Sequence, residues 1–160
     1  MEEMVLEPLE LSNDMDVRFV YEVRRHPEVA KFLFGDPPDS LEAHQAWLET
    51  NVPEQRLMFV AKVLDGYLTW CVGYCHAVLG DEVEVGFAVH PDMQGNGYGG
   101  FMVDALVAWL GVHLPGTKVV LRVKTDNRRA VRLYEKSGFV LREVYMNGQG
   151  EKAVYEWRGL

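Results

Sequence analysis

Cysteine is scarce in this chain: Cys71 and Cys75 are the only two thiols in 160 residues. Both fall in a run that reads as a strand, where four residue steps separate their Cα atoms by about 13 Å. A disulfide spans no more than roughly 7 Å, so both thiols are expected to be reduced, as in the cytoplasm. Together with His76 they lack the second ligand pair that zinc spacing requires, and no metal is expected. Long apolar runs are missing too, since nothing approaches the roughly 20 residues of a membrane span. The opening Met1-Glu2-Glu3-Met4 is acidic and no apolar leader follows it, which makes the cytoplasm the expected location. Basic residues are outnumbered 24 to 16, for a net charge of −8. That balance argues against nucleic acid as a partner and makes a cationic or neutral one easier to accommodate.

What remains is an ordinary globular composition, 48% hydrophobic and 25% charged, of a length that suits one domain over residues 1–160. Apolar alternation predicts a first strand from Met4 to Leu11. Ser12-Asn13-Asp14 then offers caps for a helix running to Arg25, and His26-Pro27 ends it. Glu28 to Phe34 can add a turn or two. Asp39 with Glu42 resembles a capping box for a helix through Trp47 and Leu48. Arg56–Leu64 and Tyr67–Leu79 read as strands joined at Asp65-Gly66, and Glu82–His90 as a fourth strand with Val83, Val85, Phe87 and Val89 on one face. Gly97 to His113 predicts a helix apolar almost all round and heavily buried. Lys118–Lys124 is a fifth strand. Asp126–Lys136 is a helix capped by Thr125 or Asp126, and Phe139–Met146 and Glu151–Trp157 form a hairpin at Asn147-Gly148. The four tryptophans are expected as core or interface anchors.

Gln94-Gly95-Asn96-Gly97-Tyr98-Gly99-Gly100 lies between a strand and a helix. Converging backbone amides and the helix dipole there can hold a pyrophosphate without any basic side chain. Gly95, Gly97 and Gly100 also spell the dinucleotide fingerprint, with Asp126 near the place of a ribose-binding acid. However, His90-Pro91-Asp92-Met93-Gln94 intervenes where that motif needs a tight turn, and the 60 residues after Gly100 are too few for its second half. No Gly-Lys-Ser/Thr follows, which excludes a P-loop.

Gln94-x-x-Gly97-x-Gly99 after Glu84-Val-Gly-Phe-Ala-Val-His-Pro91 resembles motif A of the GCN5-related N-acetyltransferases. Asn127-x-x-Ala130-x-x-x-Tyr134-x-x-x-Gly138-Phe139 resembles the family's next motif. The resemblance implies an α/β (α+β) fold: a mixed, mostly antiparallel sheet of about seven strands with about four helices, whose fourth and fifth strands splay at a bulge to admit acetyl-CoA. It implies direct attack by a primary amine through a tetrahedral intermediate. It further implies cofactor contacts from Gln94, Gly95, Asn96, Gly97, Tyr98 and Gly99 to the pyrophosphate, and from Phe87, Ala88, Val89 and His90 to the pantetheine arm. One of these amides could act as oxyanion donor.

Asn127 and Tyr134, seven residues apart on one helix face, can meet that arm twice. Tyr134 is the candidate acid for the leaving thiolate, and Glu84 the candidate base. The plain alternatives are a core tyrosine, a helix-terminal Asn127, a structural ion pair at Glu84 and a loop role for His90. The segment Arg25 to Leu48 looks similar to acetyltransferases of nucleotide-linked amino sugars in nonulosonate biosynthesis, and enzymes acetylating ribosomal-protein N-termini share much of the layout. A small-molecule amine or a peptide N-terminus is therefore the expected partner. A binding module that retains acyl-CoA without turnover is the rival from another class. Tyr145, Tyr155 and Trp157 in the last hairpin could present a homodimer edge.

Overall fold

The computed structural model describes residues 2–51 and 55–159; Met1 and Leu160, at the ends of the expected domain, lie outside them. Its elements, in chain order, are β1 (Glu2–Pro8), α1 (Asp14–Arg25), α2 (Pro27–Ala30), α3 (Leu41–Asn51), β2 (Arg56–Asp65), β3 (Leu68–Val78), β4 (Val83–Val89), α4 (Tyr98–His113), β5 (Val119–Lys124), α5 (Arg128–Lys136), β6 (Phe139–Asn147) and β7 (Gly150–Trp157). One seven-stranded sheet runs in the order β1-β2-β3-β4-β5-β7-β6, antiparallel throughout except for the β4/β5 pair. That matches the mixed, mostly antiparallel sheet expected.

Apolar clusters cover both faces of the sheet. On one face Val17, Val20 and Val23 of α1 and Leu48 of α3 pack on Met58, Val60 and Tyr74. On the other, Val103, Leu106 and Leu110 of α4 and Tyr134 of α5 pack on Cys75, Val85, Leu121 and Val123. Strand alternation sends successive residues to opposite layers. Glu84, Gly86 and Ala88 thus share a face with Tyr74 and His76, away from the α4 core.

Several local expectations shift. β1 begins at Glu2 and ends at Pro8, although Leu9 N still donates to Met58 O at 2.8 Å in the same register. Asn13 caps α1, its side chain accepting from the Asp16 amide. The cap of α3 is Ser40, whose hydroxyl accepts from Ala43 N at 3.1 Å, and not Asp39. The cap of α5 is Asn127, accepting from Ala130 N, and not Thr125 or Asp126. α4 is not buried all round: Val112 is 76% exposed, and Ala108 and Gly111 share its outer side. The last hairpin turns one residue later than Asn147-Gly148 implies. Asn147 pairs with Gly150, its Oδ1 accepts from Gln149 N at 2.8 Å, and the positive φ falls on Gly150. Tyr155, expected at an outer edge, is buried with its hydroxyl on Glu135. The edge strand of this hairpin is β6, where Val140, Leu141, Val144 and Met146 are exposed, and β1 forms the opposite edge of the sheet. Among the described residues no helix is long and apolar enough to cross a membrane.

Candidate active site

β4 and β5 pair only at Val83–Val119 and Glu84–Val120 and then part. The expected bulge is absent from β4, whose ladder with β3 runs without a shift from Val78–Glu84 to Gly73–Val89. What parts the strands is allegiance to different neighbours. β4 stays with β3 to its end, and His90 N continues onto Val72 O at 2.8 Å, while β5 follows β7. Gly73 permits this lean, because a Cβ there would stand 2.5 Å from the Ala88 carbonyl oxygen. The irregularities sit elsewhere, at the Ala61/Lys62 step of the β2–β3 ladder and the Leu141/Glu143 step of the β6–β7 ladder.

The parting opens a cleft of about 700 Å³. At one end Gly95 (φ +84°) and Gly97 (φ +81°) bend the loop into α4, and no neighbouring atom occupies the place of a Cβ at either. Gly97 caps α4 without any side-chain hydrogen bond, so the first-turn amides remain available to an anion. Gly99 has no Cβ to meet Leu133 of α5, which a Cβ would approach to 3.0 Å. Arg129 donates to Gln94 Oε1 at 2.9 Å, and Arg128 lines the cleft beside it. These groups fit the diphosphate of CoA. The two arginines escaped sequence reasoning, although a signal existed: cations at a helix N-terminus oppose the dipole and so require another purpose.

Of the expected site residues, Glu84, Phe87, Ala88, Val89, Gln94, Gly95, Gly97, Tyr98, Gly99, Asn127 and Tyr134 all line the cleft. His90 and Asn96 do not. His90 accepts from Asp92 N through Nδ1, at 3.1 Å, and its ring lies against Phe19 and His26. The Asn96 amide group is spent inside the loop on the Met93 and Gln94 carbonyls. Tyr134 is 6% exposed between Phe87 and Phe139, and burial alone pushes its hydroxyl pKa up, so it stays protonated. Glu84 is half-buried and its Oε2 accepts from Arg122 Nε at 2.8 Å. Burial works to lower the Arg122 pKa, and this ion pair outweighs it and raises it.

The opposite end of the cleft is walled by Glu28, Val29, Phe32, Leu33 and Phe34 above and by Tyr74 and His76 on the floor. Phe34 is held under the Arg122 guanidinium (4.7 Å to the ring centroid) and near Lys152 Nζ (5.4 Å), and Lys124 anchors the Lys31 carbonyl. Behind the floor, Arg24 and Arg56 both lie over the Trp47 ring, at 4.0 and 4.7 Å, and Arg24 meets His44 Nδ1 at 3.0 Å. Neither guanidinium forms an ion pair among the described residues, although the Glu84 charge reaches Arg56 and works to raise its pKa, and none of the described tryptophans lines the cleft. Burial lowers the pKa of both arginines. Burial and the two arginine charges hold His76 down at about 3. Burial pushes Tyr74 up to about 12. The surface is acidic, but this end of the cleft is biased toward positive charge.

With that geometry in place, comparison with known proteins gives a consistent result. Residues 3–140 match the family described as an acetyltransferase (GNAT) domain. A curated relative, the spermidine N(1)-acetyltransferase of Vibrio cholerae, is 24% identical over 88% of this chain and 86% of its own. Among solved structures, a domain from Methanocaldococcus jannaschii superposes with a TM-score of 0.83 at 21% identity, covering all of both chains. The Vibrio cholerae spermidine N-acetyltransferase in complex with CoA and spermine superposes with 0.78 at 21% identity, covering 96% of this chain and 92% of that one.

Proposed function

The chain belongs to the acetyltransferase (GNAT) domain family, and from that premise we propose that its acceptor is the primary amine of a small molecule with no further positive charge, best matched by a nucleotide-linked amino sugar. The chain is an acetyl-CoA-dependent N-acetyltransferase. One observation carries the choice of acceptor: both carboxylates at the acceptor end are already engaged, Glu84 by Arg122 and Glu28 by Lys31, each at 2.8 Å. A polycation would find guanidinium groups behind the floor and no uncommitted carboxylate to replace its water, which makes its desolvation costly. A nucleotide's phosphates meet the opposite bias. The curated relative's name favours a second reading, a polyamine acceptor.

In the proposed reaction the α4 amides and Arg129 hold the diphosphate, and the β4 backbone from Phe87 to Val89 holds the pantetheine arm. An amide there stabilises the developing oxyanion. Asn127, while capping α5, presents its remaining amide hydrogens to the cleft. Tyr134 protonates the leaving thiolate. Glu84, the candidate base, has Oε2 held by Arg122, so its charge is spent on that guanidinium and not on a second cation.

The acceptor is decided by measuring kcat/KM for an amino-sugar nucleotide, spermidine and a peptide with a free N-terminal alanine. The sugar nucleotide is expected to give the largest value. A preference for spermidine or for the peptide selects that branch instead, and tight acetyl-CoA binding with no turnover of any amine identifies a sensor module.

Two binding results are expected. Acetyl-CoA and CoA at a hundredfold excess over Kd should stabilise the protein by about 2.7 kcal/mol in thermal or chemical unfolding. NAD, FAD and S-adenosylmethionine should do nothing, and a shift with any of these would revive the dinucleotide reading of the glycines. Gly97→Val forces a β-branched residue to φ +81°. That strain costs on the order of 1–2 kcal/mol unless the loop moves, so CoA should bind about tenfold more weakly by calorimetry. An unchanged Kd in the folded variant removes the loop from the phosphate site.

A further inference from the structure

His76 is the one imidazole lining the cleft, and the acetyl-transfer chemistry assigned above does not use it. Its place is built into the sheet. His76 stands opposite Gly86 in the β3–β4 ladder, and a Cβ on Gly86 would lie 2.6 Å from His76 Cε1 and 2.7 Å from Nε2. The ring therefore lies across β4 where that strand has no side chain. It sits about 7 Å, two strand residues, from the Ala88 backbone at the mouth of the splay. Among the described residues no hydrogen bond ties either ring nitrogen.

The groups around it are Arg24 of α1, Arg56 of β2, Tyr74 of β3, Glu84 of β4, Arg122 of β5 and Glu28 of α2. Glu84 and Arg122 neutralise each other, as do Glu28 and Lys31, and Tyr74 is uncharged at neutral pH. The charges without an ion pair are the two guanidinium groups, of which Arg56 also feels Glu84 at longer range.

We propose that His76 receives the acceptor: its unprotonated ring nitrogen accepts a hydrogen bond from the amine, which binds as the uncharged free base because Arg24 and Arg56 repel its ammonium form. This deepens the acetyltransferase reading and rests on it. The proton balance then needs no enzyme base of high pKa. The ammonium leaves its proton in solvent before binding. The amine lone pair forms the N–C bond, the C–S bond breaks with its electron pair on sulfur, and Tyr134 gives that sulfur a proton. The nitrogen, positively charged after attack, restores the Tyr134 proton. An imidazole that stays neutral throughout cannot compete for that proton, and it orients the nitrogen lone pair toward the carbonyl.

The test has two arms. Proton NMR of the His76 ring in the CoA-loaded protein, without any acceptor, should show no titration between pH 5 and 8; a midpoint in that range overturns the proposal whatever amine is used. In kinetics with whichever of the three amines above is acetylated, His76→Phe should raise the acceptor KM about tenfold, the worth of one lost hydrogen bond. The acetyl-CoA KM should stay within twofold, and His76→Gln, which restores an acceptor atom, should recover most of the loss. Gly86→Ala, which displaces the ring, should reproduce the His76→Phe effect. The wild-type kcat/KM should climb with pH until the acceptor's own pKa. A plateau set by the enzyme, or an unchanged acceptor KM in His76→Phe, overturns the proposal. If no amine is acetylated, the functional reading fails and the NMR arm alone decides the state of His76.

Discussion

Replacing Tyr134 by phenylalanine is expected to lower kcat by about 10²- to 10⁴-fold, the range spanned by general acid catalysis, while leaving acetyl-CoA affinity nearly unchanged. The ring packs between Phe87 and Phe139, with centroids 5.9 and 6.0 Å away, and the substitution keeps those contacts. The glycine loop proposed to hold the phosphates lies elsewhere, before α4. Two considerations place the result near the lower end. A thiolate leaves without protonation more readily than an alkoxide. Burial also raises the Tyr134 pKa above its ordinary value near 10, so the hydroxyl is no stronger an acid than the thiol it would form. Proton transfer is therefore driven by charge building on sulfur and not by a difference in acidity. Single-turnover kinetics isolate the chemical step. A rate within about threefold of wild type, with binding intact, would reduce Tyr134 to a packing residue and make water the proton source.

Lys62→Met should destabilise the protein by about 3 kcal/mol, the lower end of the cost of stranding a buried charge. Lys62 Nζ lies 2.9 Å from both Asp16 and Glu7, and the Lys62 and Asp16 side chains are only 12% and 6% exposed. Asp16 would keep Asn13 Nδ2 at 3.1 Å and the Cys71 thiol at 3.7 Å, which softens the loss. Burial works to lower the Lys62 pKa, but Asp16 and Glu7 outweigh it and raise it. A cation with a raised folded-state pKa contributes its full stability below the unfolded value of about 10.4, and the contribution fades as pH rises through the folded one. The difference between wild type and variant should therefore be constant from pH 6 to 9 and shrink above about 10.4. Urea denaturation measures it. A loss under 1 kcal/mol with an unchanged m-value would mean that Asp16 is adequately served without the lysine. The cluster joins α1 to β1 and β2, and none of its three residues lines the cleft, so kcat should not change.

The two predictions sample different layers of the molecule, and the sequence spoke unequally about them. Tyr134 was legible because a motif with fixed spacing carried it. The Lys62–Asp16 pair was invisible, because the two residues belong to different elements brought together only by the sheet. Glu84 was legible as a polar residue on the cleft side of β4, but its partner Arg122, 38 positions away, was not. The same holds for His76, which resembled half of a poor zinc site until Gly86 was seen beneath its ring.

The sequence alone determined the elements, the family and the glycine loop that opens α4, because each rests on interactions that close within a few residues: a positive φ that glycine allows, a side chain capping its own helix, a period of two or of 3.6. Even there, choosing among neighbouring caps such as Asp39 and Ser40 needed coordinates, since several residues can serve equally in isolation. Only the tertiary structure decided how the cleft opens, with β4 held to β3 by the close approach at Gly73 and β5 drawn to β7. It also decided the charge of the cleft end beside α2, where an acidic chain gathers arginines. Net charge sums over the whole surface, whereas a binding site feels the few groups within a Debye length, and which groups those are depends on topology.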